Sequence, residues 1–129
     1  GTYRNNSDFI SNLAFSPDGA TLAVGGLDGT IKVLSVNSNR VQRAFAGQNK
    51  RITSLALANG DDMLASADEG GNVRIRSLKR SRQLLALPGL ASGARTVAFT
   101  NDGRTLLTGG QDGAVRLWSL PDSQIAQGN

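Results

Sequence analysis

The chain has 129 residues, 39% of them hydrophobic and 19% charged, and a net charge of +4. This length and composition predict one globular domain and exclude a disordered tail and a membrane-spanning protein, so no membrane partner is expected. The chain contains neither His nor Cys, which excludes Ser-His-Asp and Cys-His catalysis, disulfides and thiolate metal sites; no metal or other cofactor is expected.

The sequence consists of three copies of one unit with a period of 42 residues. Ala14, Ala56 and Ala98 are spaced by 42, and the same interval relates a leucine, a β-branched residue and a serine further along each copy. A period of this length is typical of arrays in which each copy forms one small unit that packs on its neighbours. Residues 1–129 are therefore predicted to form a single domain, with copies at about 4–45, 46–87 and 88–129.

Each copy is predicted to form four short antiparallel strands. Alternating residues such as Val73-Arg74-Ile75-Arg76 favour strands, and the recurring Gly and Asp-Gly pairs exclude a long amphipathic helix. In chain order, the strands are predicted at 10–16, 22–25, 30–36 and 40–45 in copy 1, at 52–58, 63–67, 72–78 and 82–87 in copy 2, and at 94–100, 105–108 and 114–120 in copy 3.

Two turns in copies 1 and 3 have sequences typical of hairpins, and Asn59-Gly60-Asp61 is a rougher version of the first turn in copy 2. In Ser16-Pro17-Asp18-Gly19, Pro sets the backbone angle of the first central residue and Gly accepts the left-handed conformation. Thr100-Asn101-Asp102-Gly103 fills the same place in copy 3. The second hairpin turns at Asp28-Gly29 and Asp112-Gly113, where the short Asp side chain is predicted to accept hydrogen bonds from its own turn amides.

These strings resemble the WD-repeat (WD40) β-propeller family, in three degenerate copies. The strings that carry the resemblance are Phe15-Ser16-Pro17-Asp18-Gly19, Leu22-Ala23-Val24-Gly25-Gly26, Asp28-Gly29-Thr30-Ile31-Lys32-Val33-Leu34 and Asp112-Gly113-Ala114-Val115-Arg116-Leu117-Trp118. The resemblance implies an all-β fold, a β-propeller segment of three four-stranded antiparallel blades. The family's Trp-Asp ending and its His are degenerate here, so its buried Trp, His, Asp and hydroxyl network is not complete.

Arg76 stands where the family buries Trp. One interpretation is a charged site between blades, with Asp68 or Glu69 as the partner, because a buried Arg needs one. The other interpretation, which we expect, places Arg76 along the blade edge with its stem packed and its guanidinium in water.

Three blades do not close a ring, because propellers typically have about four to eight. Two apolar blade faces are therefore predicted to be bare until further covalently linked blades or oligomerisation cover them, as a dimer of six blades or a trimer of nine. Residues 124–127 align with the start of a fourth strand and 1–3 with its end, where Tyr3 takes the place of Phe45. We expect neighbouring chains or blades to complete that strand.

The resemblance implies a non-catalytic protein–protein interaction scaffold with other proteins as partners. Two alternatives are a self-assembling structural module that forms a closed ring and a ligand-sensing domain of a larger regulatory protein. Three contact positions per copy on the upper face follow from the resemblance. They are Phe9, Ser11 and Leu27 in copy 1, Arg51, Thr53 and Glu69 in copy 2, and Gly93, Arg95 and Gln111 in copy 3.

A basic loop, Lys79, Arg80 and Arg82, joins the third and fourth strands of copy 2. It is either a patch for phosphate or an acidic protein, or a solvated connector whose charge keeps the sheet edge from pairing, and the second is expected. No aromatic residue lies near it in sequence, so nucleic acid is not expected as a partner. The absence of Cys and of an export signal makes the cytoplasm the default location.

Overall fold

The computed structural model describes residues 2–4, 9–46, 50–58, 62–80, 82–87 and 94–120. Within these residues the secondary structure consists of eleven β-strands. The strands are β1 Ile10–Phe15, β2 Thr21–Gly26, β3 Ile31–Ser35, β4 Arg40–Phe45, β5 Ile52–Leu57, β6 Met63–Asp68, β7 Val73–Ser77, β8 Arg82–Leu87, β9 Ala94–Phe99, β10 Thr105–Gly110 and β11 Val115–Ser119. Every strand predicted within the described residues is present, and its ends differ from the prediction by at most two residues.

The strands form three antiparallel sheets, each made from one sequence copy. Sheet 1 has the order β1-β2-β3-β4, sheet 2 the order β5-β6-β7-β8, and sheet 3 the order β9-β10-β11. The predicted all-β class and the predicted strand order are confirmed. A fourth strand of sheet 3, predicted at 124–127, lies outside the described residues.

The hairpin turns have the predicted chemistry. Gly19 has φ of 76° and its amide donates to the Ser16 carbonyl at 2.9 Å, so the turn uses a backbone conformation that glycine adopts without strain. Asp28 Oδ1 accepts a hydrogen bond from the Thr30 amide at 2.9 Å. The local sequence therefore determines where each strand reverses.

The three sheets stack face to face through their first strands. Ile31 and Val33 of sheet 1 belong to one buried apolar cluster with Leu55 and Leu57 of sheet 2. The other side of sheet 2 forms a second cluster with sheet 3, in which Ile75 is fully buried. Burial of this apolar surface supplies the main favourable free energy of stacking.

Sheets 1 and 2 are in close contact where a glycine faces an isoleucine. A Cβ added to Gly25 would lie 2.8 Å from Cγ2 of Ile52 in the neighbouring sheet. That distance is shorter than carbon atoms tolerate, so a larger residue would force sheets 1 and 2 apart. Gly25 is thus required by the packing between sheets.

The outer faces of the stack are bare, as predicted. Leu13 and Phe15 on the open face of sheet 1 are 61% and 62% exposed, and Val115 and Leu117 on the open face of sheet 3 are 65% and 68% exposed. In copies 1 and 2, residues at the same repeat positions that face a neighbouring sheet are buried. These are Leu55 and Leu57 for the first pair, and Ile31, Val33, Val73 and Ile75 for the second. The described chain is therefore an open arc of propeller blades.

The expected placement of Arg76 at the blade edge is wrong. Its side chain is buried, Nη1 donates to Ser66 Oγ at 3.0 Å, and the guanidinium carbon lies 5.1 Å from the centre of the Phe45 ring in sheet 1. Burial lowers the pKa of Arg76, and the positive charge of neighbouring Arg74 lowers it further. The negative charge of Asp68 raises this pKa, but by less than burial and Arg74 lower it. A hydroxyl and a cation–π contact therefore take the place of the carboxylate partner that the alternative interpretation proposed.

The contact of Arg76 reproduces one made by the Trp of copy 3. Trp118 Nε1 donates to Thr108 Oγ1 at 3.0 Å, and Thr108 holds the repeat position of Ser66. The planar guanidinium thus replaces the indole as a flat N–H donor to a hydroxyl on the neighbouring strand of its own sheet. Sequence reasoning did not predict this because the partner hydroxyl lies on an adjacent strand.

Candidate protein-interaction face

A β-bulge lies near the start of the first strand of each sheet. In sheet 1, Ile10 pairs with Gly26 and Asn12 with Gly25, so Ser11 is an extra residue between two ladder positions. The same shift occurs in the other two sheets. The extra residues are Ser11, Thr53 and Arg95. Bulges re-aim side chains at the rims of sheets, and here they act on three predicted contact residues.

The three bulged residues line one cavity of about 400 Å³ at the upper edge of the stack. The upper edge is the one at which the first strand of each sheet begins and the second strand ends. The opposite edge is the lower edge. This volume lies within the range of sites that bind small groups or single side chains of a partner. The residues that line the cavity are Ser11, Asn12, Leu27, Arg51, Ile52, Thr53 and Arg95.

The floor of the cavity is held together by hydrogen bonds between sheets. Ser11 Oγ donates to the Ile52 carbonyl at 2.9 Å and lies 3.2 Å from the Gly25 carbonyl, which fixes sheet 1 to sheet 2. Within the described residues, Asn12 Oδ1 and Thr53 Oγ1 are buried and have no hydrogen-bond partner. Because buried polar atoms are normally paired, these two atoms are available to water or to a bound group.

Arginine determines the charge of the cavity. Arg51 and Arg95 are exposed, and none of the described lining residues is acidic. Glu69 lies beside the cavity, where its Oε2 is 3.7 Å from Arg51 Nε and both side chains are about half exposed. An ion pair of that length in water is weak, so the cavity keeps a positive potential.

The structure brings five of the predicted contact residues together, and the others that it describes do not line the cavity. The five that line the cavity are Ser11, Leu27, Arg51, Thr53 and Arg95. Phe9 is 77% exposed beside Leu27, whose amide donates to the Phe9 carbonyl at 3.2 Å. Gln111 is exposed on its turn and does not line the cavity, and Gly93 lies outside the described residues.

Two lining residues, Asn12 and Ile52, were missed by the sequence analysis. A signal for Asn12 existed, because the same repeat position is polar in every copy, as Ser54 and Thr96. Ser54 Oγ accepts from the Val97 amide of the next sheet at 3.1 Å. At Ser54, this repeat position therefore makes a contact between sheets.

The basic loop lies at the lower edge, away from the cavity. The backbone amides of Lys79 and Arg80 donate to Asp62 Oδ1 and Ser77 Oγ, both at 3.0 Å, and both basic side chains are exposed. The side chain of Arg82 lies outside the described part of the chain. Since a strand separates the two edges, the basic loop and the cavity are distinct surfaces.

The described residues contain neither a metal-binding cluster nor a membrane-spanning helix. No group of three acidic side chains there is placed to hold a metal ion. No helix of sufficient length and apolar character to span a bilayer occurs among the same residues.

The comparisons with known proteins agree with the repeat structure. Residues 1–35, 39–77 and 82–119 each match the family described as "WD domain, G-beta repeat". The WD repeat-containing protein VIP3 of Arabidopsis thaliana is 33% identical over 57 residues, which are 44% of this chain and 18% of that protein. A chain in the crystal structure of the mitotic checkpoint complex superposes with a TM-score of 0.79 and 26% identity. That match covers 90% of the present chain and 35% of the other, so this chain spans about a third of its structural relative.

Proposed function

We propose, since this chain belongs to the WD40 repeat family, that it acts as a non-catalytic scaffold that binds another protein through the cavity at its upper edge. The family consists generally of interaction scaffolds, and the solved relative occurs in a multi-protein complex. The observation that carries the proposal for this chain is the cavity itself. Three bulged residues from three separate sheets line it.

The composition of the upper edge supports this proposal. Arginine and aromatic side chains are the residues that usually contribute most to protein interfaces, and the upper edge offers Arg51, Arg95 and Phe9, with the apolar Leu27 beside them. These side chains extend from sheet termini that are fixed by the strand ladders. A binding surface on a rigid scaffold loses little conformational entropy when a partner docks.

The double variant Arg51→Glu Arg95→Glu is expected to lose its protein partner. The change reverses two charges that line one cavity, while both side chains are exposed, so the fold does not depend on them. Quantitative affinity purification of the tagged chain from its source cells, compared between wild type and variant, measures the effect. Circular dichroism checks that the variant is folded.

The matched control is Lys79→Glu Arg104→Glu, which changes the net charge equally at the lower edge. This control is expected to retain every partner that the cavity variant loses. A partner held equally by both double variants would show that the cavity is not the binding surface. A partner lost only in the control would place binding at the lower edge.

A second candidate function, self-assembly into a closed ring, is favoured by the two open faces. Leu117 on one open face occupies the repeat position of Val33, which packs inside the stack in one cluster with Leu57. Phe15 on the other open face occupies the repeat position of Leu57. A second copy of the chain therefore carries the complement of each bare face, and the resulting contact would be heterologous.

The position of Tyr3 also supports closure through the open face of sheet 1. Residues 2–4 form no strand, but Tyr3 borders a cavity on that face together with Leu34 and Val36. One period later, Phe45 lies in one cluster with Leu78 of sheet 2. Tyr3 thus occupies the place that a fourth-strand aromatic from a preceding blade would take.

Light scattering of the purified chain tests self-assembly. The expected mass is that of two or three chains, and Leu117→Asp is expected to reduce it to that of one chain, because a carboxylate cannot be buried unpaired in an apolar contact. Asn101→Asp, which adds the same charge at the lower edge of sheet 3, is the control and is expected to leave the mass unchanged. A wild-type chain that remains single and compact at all concentrations would refute self-assembly.

A further inference from the structure

We infer that the partner is recognised through an acidic group, a carboxylate or a phosphate carried by a peptide segment, that binds between Arg51 and Arg95 in the upper-edge cavity. The inference rests on the proposed function and specifies the chemistry of the ligand. Arginine presents planar N–H donors that match the oxygens of both anions, so the two sources share one recognition chemistry.

The bulges explain how two arginines from different sheets reach one cavity. Arg95 is the extra residue of the bulge in sheet 3, so its side chain leaves the regular alternation of β9. Arg51 immediately precedes β5, and its carbonyl accepts a hydrogen bond from the Glu69 amide at 2.8 Å, which fixes its backbone. Both side chains border the same space of about 400 Å³, which is large enough for a carboxylate or phosphate group.

The polar atoms around the arginines suit an anion. The hydroxyl of Thr53 has no partner among the described residues and can donate one further hydrogen bond after a rotation about its Cα–Cβ bond. No carboxylate lines the described part of the cavity, so nothing there repels an acidic group. Two arginine side chains therefore border the space, and the Thr53 hydroxyl can serve it after that rotation.

Glu69 acts as an internal competitor. Its carboxylate lies 3.7 Å from Arg51 Nε, and 57% of its side chain is exposed, so a stronger acidic ligand can displace it. Removal of that carboxylate is expected to strengthen the binding of an acidic ligand. A site for a basic or neutral ligand would show the opposite effect or none.

Apolar neighbours indicate a peptide as the carrier of the anion. Leu27 lines the cavity and Phe9 lies directly beside it, so an acidic residue in the cavity would place an adjacent apolar side chain against Leu27. None of the described lining residues is aromatic, and Phe9 is a single aromatic residue beside the cavity. A single-stranded nucleic acid would need several aromatic residues on which successive bases could stack. The inferred ligand is therefore a peptide segment in which an apolar residue is adjacent to the acidic one.

Selection of short peptides from a displayed random library on the immobilised full chain tests the inference. The selected peptides are expected to carry Asp or Glu next to an apolar residue. Synthetic versions with the acid, with Gln and with phosphoserine at that position are then compared by fluorescence anisotropy. The Gln version is expected to bind about tenfold or more weakly, since it lacks the charge-assisted hydrogen bonds. The preferred version identifies carboxylate or phosphate as the source.

Variants of the chain locate the binding. With the acidic peptide, Arg51→Gln and Arg95→Gln are each expected to weaken binding about tenfold, whereas Arg104→Gln at the lower edge leaves it unchanged. Glu69→Gln is expected to tighten binding up to about fivefold, the range of an exposed ion pair. A merely structural role for Glu69 would not produce tighter binding.

The outcomes separate this inference from the proposed function. One outcome would refute the acidic ligand but support the scaffold function. In that outcome, neutral or basic peptides bind the cavity, lose affinity with Leu27→Asp and bind both Gln variants as tightly as the wild-type chain. If no peptide is selected, or if Leu27→Asp weakens none of those selected, the proposed cavity fails and the inference fails with it. A thymidine oligonucleotide is the test for a nucleic-acid ligand. If it binds more tightly than any peptide and its binding depends on both arginines, the anion is carried by a nucleic acid and not by a peptide.

Discussion

Ile75→Ala is expected to lower the free energy of unfolding by about 2–5 kcal/mol. Ile75 is fully buried between sheets 2 and 3, in the cluster that includes Val97 and Leu106. The truncation removes apolar contacts and leaves a cavity that the strands on both sides cannot fill, because their backbones are held by the ladders. Urea denaturation of the dilute single chain, followed by circular dichroism, measures the loss.

The repeat offers a matched control for that variant. Leu117 holds the same repeat position in copy 3 but is 68% exposed, so Leu117→Ala is expected to change the stability of the single chain by no more than about 0.5 kcal/mol. Equal effects of the two variants would mean that the open face of sheet 3 is covered under the conditions of measurement. They would thereby contradict the open arc for the single chain.

Asp68→Ala is expected to destabilise the chain by about 3–5 kcal/mol, the cost of breaking a buried charged network by removing one partner. Only 4% of Asp68 is exposed, and its carboxylate accepts from the Gly70 amide at 2.9 Å and the Asn72 amide at 3.1 Å. Its Oδ2 also lies 3.2 Å from Nη1 of Arg74, whose side chain is 16% exposed. The substitution removes the carboxylate from the partly buried Arg74 guanidinium and from two turn amides, and the loss of these hydrogen bonds adds to the lost attraction.

Asp112→Ala is the control for Asp68→Ala, because Asp112 stabilises the corresponding turn in copy 3. Asp112 accepts from the Ala114 amide at 3.0 Å and pairs with Arg116 at 2.8 Å, but this pair is exposed. The pair and its hydrogen bond raise the pKa of Arg116. Water replaces both contacts, so the urea midpoint is expected to move far less than in Asp68→Ala. A comparable shift in both variants would show that burial of Asp68 is not the source of its effect.

Asp68 also shows how a local departure from the repeat is accommodated. In copies 1 and 3 the turn Asp is at position 28 or 112, whereas copy 2 has Gly70 there and Asp68 two residues earlier. Asp68 still accepts two turn amides, and Gly71 takes the left-handed φ of 83°. The carboxylate reaches the turn from the strand end, so the turn persists although the pattern is shifted.

The strands and turns followed from the sequence because their causes are local and occur three times. Alternation along Val73-Arg74-Ile75-Arg76 and the Asp-Gly turns depend on neighbouring residues alone, and the constant 42-residue interval removes accidental matches. The bare outer faces also followed, since the first and last units of any open array lack a neighbour. For this chain, sequence by itself determined the elements, their order and the open ends.

Tertiary structure alone decided the register and the meeting of distant side chains. A bulged residue such as Arg95 can be identified only from the strand pairing, in which two residues of one strand lie opposite one residue of the next. Arg76 contacts Ser66 on the neighbouring strand and Phe45 in the neighbouring sheet, and both residues are distant from it in sequence. Arg51 and Arg95 come from different copies and share a cavity only because the sheets stack at a spacing set by contacts such as Gly25 on Ile52. Such contacts depend on side-chain volume and strand pairing in three dimensions, which a one-dimensional period does not contain.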